Sequence, residues 1–141
     1  MKGRLVENLA KRGCVTIQKN SKISELIGLL SSHNIGAVVV VDKEKKPIGM
    51  VSERDIVRNY SKNVSDIKDI MTSNIITCDL SISSSELMEL MNRHKIRHVP
   101  ILKKNILVGI VSIGDVVKRL IEIYETCLLY TSPSPRDGLL S

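Results

Sequence analysis

Gly49-Met50-Val51-Ser52-Glu53-Arg54-Asp55-Ile56-Val57 returns sixty residues later as Gly109-Ile110-Val111-Ser112-Ile113-Gly114-Asp115-Val116-Val117. The glycine, one valine, the serine, the aspartate and the last valine are identical in the two copies. Self-similarity at such a period marks a duplicated supersecondary unit, so the chain is read as two copies of one fold. In each copy a short apolar strand runs into Ser-x-x-Asp and then a helix. A helix start of this kind offers unpaired backbone N–H groups and a nearby carboxylate.

The repetition extends outward from that stretch. Leu5 to Ala10 carries Val6, Leu9 and Ala10 at helical spacing, and Cys14 to Ile17 is a brief strand. Ser24 to His33 places Leu26, Leu29, Leu30 and His33 on one helical face, closed by Asn34-Ile35-Gly36. Ala37 to Val41 has β-branched residues on both faces and predicts a fully buried strand. A charged turn over Asp42 to Pro47 leads to the return strand Ile48 to Val51 and a helix from Ser52 to about Tyr60. The second copy places Ile67, Ile70 and Met71 where Val6, Leu9 and Ala10 stand, Thr77 where Thr16 stands, and His94 where His33 stands. Val99 to Leu102 and Ile106 to Val111 make its hairpin, with a turn one residue shorter, and a last helix runs from Ser112 to about Tyr124. Neither unit can cover its own sheet, so the two pack together and share a cleft.

A chain of 141 residues with 43% hydrophobic and 26% charged residues suits one compact fold made of two small halves. It has three Tyr and neither Phe nor Trp, so its core is aliphatic, and base stacking on aromatic rings is disfavoured. The net charge of +6 suits a phosphate-bearing ligand, a nucleic-acid surface or simply a solvated basic face. Cys14, Cys78 and Cys127 are odd in number and widely spaced, which points to neither a disulfide framework nor a zinc site and to a reducing cytoplasm. The longest unbroken aliphatic run, Ala37 to Val41, is too short to cross a bilayer.

Chemistry concentrates at the repeat junctions. Ser52-x-x-Asp55 and Ser112-x-x-Asp115 are helix caps, and they are also a carboxylate for ribose hydroxyls beside a serine and free amides for a phosphate. Arg97-His98 replaces Gly36-Ala37 of the first copy just before a buried strand, bringing a guanidinium fork and an imidazole to one cleft only. His33 and His94, near helix C-termini, are assigned to structure. A Gly-x-x-x-x-Gly-Lys-Ser/Thr loop, a His-Glu-x-x-His helix and a Gly-x-Ser-x-Gly elbow are all absent from the sequence, as is metal-ligand spacing, so neither an enzyme nor a metal site is expected.

Ser-Glu-Arg-Asp-Ile-Val-Arg at Ser52 to Arg58, Asp-Ile-Met-Thr at Asp69 to Thr72, Ile-Arg-His-Val-Pro at Ile96 to Pro100, and Gly-Ile-Val-Ser-Ile-Gly-Asp-Val-Val-Lys at Gly109 to Lys118 together resemble paired cystathionine-β-synthase (CBS) domains of the small stand-alone bacterial type. The resemblance implies an α+β fold: two β-α-β-β-α repeats with pseudo-two-fold symmetry packed as a CBS pair, or Bateman module. Repeat 1 would span 1–64 with the N-terminal helix, and repeat 2 would span 65–125. It further implies a regulatory module that binds an adenine nucleotide in the cleft between repeats, requires no cofactor, and homodimerises through its flanking helices. The nucleotide stays open among AMP, ADP, ATP, a dinucleotide and S-adenosylmethionine, and the regulated protein partner is unidentified. The residues implied for binding are Thr16, Gly36, Ala37, Val51, Ser52, Arg54, Asp55, Thr77, Arg97, His98, Ser112 and Asp115. In the family's terms Asp55 is expected to face Arg97-His98, and Asp115 to face Gly36-Ala37. The alternative is a basic nucleic-acid-associated protein, whose binding would weaken steeply with salt. Residues 126–141 depart from the family: Cys127 to Asp137 looks like translated adapter sequence, so the last helix is expected to stop near Glu125 and the tail to be disordered.

Overall fold

The computed structural model describes residues 4–130. Its elements are α1 (Arg4–Lys11), β1 (Thr16–Gln18), α2 (Ile23–His33), β2 (Ala37–Val41), β3 (Pro47–Ser52), α3 (Glu53–Arg58), a 3-10 turn (Ile67–Asp69), β4 (Cys78–Asp79), α4 (Ser84–His94), β5 (His98–Lys103), β6 (Ile106–Ser112) and α5 (Ile113–Tyr130). They build two three-stranded sheets, β1-β2-β3 and β4-β5-β6, each with a parallel pair followed by an antiparallel hairpin. The α+β architecture of two β-α-β-β-α repeats is therefore as the repeat implied.

Local chemistry explains why both halves close in the same way. Each hairpin carries a bulge at the corresponding place, Val40/Val41 and Ile101/Leu102. α2 and α4 both end on a left-handed residue, Asn34 (φ 53°) and Lys95 (φ 55°), whose amides turn back onto the last helical carbonyls. The turns differ. In the first, the Asp42 carboxylate accepts from the amides of Glu44 (2.8 Å) and Lys46 (2.9 Å). In the second, Lys104 and Asn105 both take positive φ, 52° and 66°, the geometry of a two-residue hairpin loop, and this accounts for the lost residue.

The core divides into two aliphatic clusters, and each is completed by the segment that precedes the other half. Leu5, Val6 and Leu9 of α1 are buried with Leu87, Met91, Val99, Ile101 and Val111 of the second unit. Ile67 and Ile70 are buried with Leu26, Leu30, Val38, Val40 and Val51 of the first. Two glycines at equivalent places make this exchange possible. A Cβ on Gly109 would lie 3.2 Å from Ala10 Cα, and one on Gly49 would lie 2.8 Å from the Thr72 carbonyl oxygen. β2 is buried along its whole length, as its unbroken β-branched run predicts.

Three expectations are corrected. The repeat predicts a second α1 near Ile67–Met71, but the chain makes a single 3-10 turn. Met50 and Thr72 exchange backbone hydrogen bonds of 2.9 and 2.8 Å, which pull the chain into an extended path directly afterwards. The last helix does not stop near Glu125 but continues through Tyr130. Residues 126–130 contain neither Gly nor Pro, and Thr126 bonds back to the Glu122 carbonyl at 2.9 Å. The disorder expected of Thr131 to Ser141 lies outside the described residues. His33 and His94 are exposed in the last turns of α2 and α4 rather than packed on the apolar stripes.

Candidate functional site

Each repeated junction is a hydrogen-bonded box at the start of a helix. Asp55 Oδ2 accepts from Ser52 N (2.8 Å) and Ser52 Oγ (3.1 Å). Asp115 Oδ2 accepts from Ser112 N (2.9 Å) and Ser112 Oγ (3.0 Å), while Asp115 N donates to Ser112 Oγ (3.2 Å). Both aspartates are thus caps. These bonds all fall on Oδ2, which leaves Oδ1 of each carboxylate without a partner among the described residues. A half-exposed carboxylate oxygen of this kind accepts hydroxyl hydrogen bonds.

Register decides what faces each box. In the β2–β3 ladder Ala37 stands opposite Ser52, and in the β5–β6 ladder His98 stands opposite Ser112. The first helical amides repeat the pattern: Glu53 N donates to Gly36 O (3.0 Å) and Ile113 N donates to Arg97 O (2.9 Å). The expected pairing of Asp55 with Arg97-His98 is a contact between the halves, whereas this register sets the neighbours within each half. An antiparallel return strand brings each Ser-x-x-Asp back to the entrance of its own hairpin, so Gly36-Ala37 belongs with Asp55 and Arg97-His98 with Asp115.

The two entrances nevertheless meet. The place a Cβ would take on Gly36 lies 3.1 Å from Glu53 Oε1 and 3.9 Å from His98 Nε2. His98 is half-buried, and that burial holds its imidazole below the ordinary histidine value; the Asp115 carboxylate opposes the shift, Arg97 adds to it and Glu53 opposes it. Arg12, at the end of α1, brings its guanidinium to 3.5 Å from Asp115 Oδ2. Among the described residues no cation lies within ion-pairing distance of Asp55. A cleft of about 520 Å³, lined by Ile27, Leu30, Ser31, Asn34, Ile35, Gly36, Glu53 and Ile56, reaches the two residues that border His98.

The remaining sequence candidates divide by burial. Val51 is fully buried in the first core and Ala37 is almost so, which leaves only their backbone groups for a ligand. Thr16 and Arg97 are exposed, Thr77 is half-buried just before β4, and Arg54 is exposed on α3. Sequence reasoning missed Arg12 and Glu53. Glu53 was detectable as a difference between copies, since Ile113 takes its place. No sequence signal shows that α1 delivers Arg12 to the second half. Burial raises the Cys14 and Cys78 thiols to about 11, so both are protonated and unreactive at neutral pH. Among the described residues no group of three His, Cys, Asp or Glu side chains is placed to hold a metal ion, and no helix is long and apolar enough to cross a membrane.

Two β-α-β-β-α units, exchanging the segments that precede them and meeting at paired strand entrances beside Ser-x-x-Asp helix caps, define a tandem-repeat module. The chain belongs to the CBS domain family, whose sequence profile matches residues 6–62 and 67–122. The CBS-domain protein ATU1752 from Agrobacterium tumefaciens is 36% identical and superposes with a TM-score of 0.73 over 80% of this chain and 90% of its own. The CBS domain pair of protein MJ0100, solved with 5′-methylthioadenosine and S-adenosyl-L-methionine, is 28% identical with a TM-score of 0.77, over 84% of this chain and 96% of that one. The chain spans about a third (35%) of protein MJ1404 of Methanocaldococcus jannaschii, to which it is 30% identical over 146 residues, 92% of this chain.

Proposed function

We propose that this chain is a regulatory sensor that binds an adenine-containing nucleotide beside Asp115, without catalysis, and passes its occupancy to an unidentified protein partner. The observation that carries this reading is the state of Asp115. Its Oδ2 accepts both bonds from Ser112, its Oδ1 accepts none from the described residues, the Arg12 guanidinium lies 3.5 Å from Oδ2, and the His98 imidazole is close enough to feel the carboxylate. A carboxylate of this kind suits ribose hydroxyls, and the neighbouring donors suit a phosphate or another anionic group. The adenosine compounds bound by the related MJ0100 pair support the choice of an adenine ligand.

A second copy of the chain fits α5. Ile113, Val117, Leu120, Ile121, Tyr124 and Leu128 form an exposed apolar stripe along that helix, and Ile27 and Met88 are exposed on α2 and α4. The proposal is a homodimer joined through these helices.

Isothermal titration with AMP, ADP, ATP, S-adenosylmethionine and 5′-methylthioadenosine tests the reading. Saturation by one of them at one or two ligands per chain, with modest salt dependence, is expected. Silence towards all five sinks it, and steeply salt-dependent binding to duplex DNA or RNA would favour the nucleic-acid alternative.

A further inference from the structure

The contact between Arg12 and Asp115 is unusual in where it comes from and in how little it uses. Arg12 follows α1, which precedes the first unit in sequence yet is buried in the core of the second. Its position is fixed from two sides. Gly109 lets the α1 backbone approach β6 closely, and Gly13, at φ +80°, closes the turn that carries Arg12 past the end of α1. The guanidinium that results meets Asp115 Oδ2 at 3.5 Å, remains 61% exposed, and makes no hydrogen bond to any described residue.

A guanidinium has five donors in a planar fork, and a single long, exposed contact engages almost none of them. Such a pair adds little to stability. Asp115 does not depend on it either, because Ser112 already supplies two bonds to the same oxygen. Oδ1 accepts no bond from the described residues, so ribose hydroxyls can engage Asp115 there while the Arg12 guanidinium stands at Oδ2. The first half has no counterpart: the repeat spacing puts Ser73 where Arg12 stands, and Asp55 has no cation beside it among the described residues.

We infer that Arg12 is the phosphate-reading residue of the Asp115 site: in the free chain it rests against the aspartate, and in the complex its fork turns to the 5′-phosphate of the nucleotide. The inference rests on the adenine-nucleotide reading above and adds a specificity to it. The site distinguishes 5′-phosphorylated adenosines from neutral ones, and the reading residue comes from the helix that ties the two halves together.

The test is titration of the wild-type chain, Arg12→Ala and the longer-chained Arg12→Gln with AMP and with adenosine. Both variants are expected to lose about tenfold in affinity for AMP and less than about twofold for adenosine. Equal losses for the two ligands, or no loss for AMP in either variant, overturn the inference while leaving the adenine reading in place. A wild-type chain that binds neither AMP nor adenosine overturns the inference, and the adenine reading falls with it when ADP, ATP, S-adenosylmethionine and 5′-methylthioadenosine are silent as well.

Discussion

His98 stands directly across the β5–β6 ladder from Ser112, and its counterpart Ala37 stands in the same relation to Ser52. One half therefore places an imidazole, and the other a methyl group, beside its Ser-x-x-Asp cap. Arg12 adds a guanidinium to the same half as His98. The two aspartates, alike in their bonds to serine, thus sit in different electrostatic surroundings.

Asp115→Ala is expected to weaken AMP binding about tenfold to a hundredfold, and Asp55→Ala by no more than about threefold, in calorimetric titrations. Each should also cost about 1 kcal/mol of folding stability, because each removes a helix cap. Matching stability losses with unequal binding losses would separate the two roles of the aspartate. Equal binding losses would mean that the halves are functionally equivalent.

His98 gives the fold a pH dependence whose sign follows from its depressed pKa. Above the ordinary histidine value of about 6.5 the imidazole is neutral in both folded and unfolded chains, and its burial costs nothing extra. As pH falls below that value the unfolded chain takes up the proton first, so stability is lost down to the folded-state pKa. Melting temperature measured between about pH 7.5 and 5.5 should fall more in the wild-type chain than in His98→Gln. His33 and His94 are common to both proteins and cancel. Parallel curves would show that His98 has the same affinity for protons folded and unfolded.

Gly49→Ala should destabilise the fold by about 1–3 kcal/mol in denaturant unfolding, and Gly109→Ala by less. The new methyl at position 49 meets a backbone carbonyl oxygen at 2.8 Å that is held in a β-bridge to Met50, whereas at position 109 the nearest atom is Ala10 Cα at 3.2 Å. A larger loss at Gly109 would mean that α1 is held to the second sheet more rigidly than the Thr72 segment is held to the first.

The apolar stripe of α5 predicts the outcome of charge insertion. Val117→Lys or Ile121→Lys should raise the dissociation constant of the proposed dimer by about tenfold or more, read by light scattering across a dilution series. Both positions are exposed in the single chain, so melting of the dilute protein should barely change. A chain that is already monomeric at micromolar concentration would remove the dimer from the proposed function.

Much of the fold is legible in the residues themselves, because it rests on local physics. Short apolar runs mark the strands and period-3.6 apolar patterns the helices, Asp42 and Asn105 mark the two turns, and the unbroken run Ala37–Val41 marks a strand buried on both faces. Ser-x-x-Asp announces a helix cap wherever it is read, and its duplication announces a second unit. The burial of Ile67 and Ile70 also follows the repeat, although their backbone does not. What only the tertiary structure decided is which pieces meet. That α1 completes the second core depends on Gly109, ninety-nine residues from Ala10, leaving room for a helix backbone, and hydrophobic burial, being non-directional, does not name its partner. That His98 lies beside the Ser112 cap follows from the antiparallel register of β5 and β6, which turns a separation of fourteen residues in sequence into direct opposition across a sheet. Arg12 joins that site for the same reason: its neighbours are set by packing between distant segments, and no pattern within its own stretch of sequence encodes them.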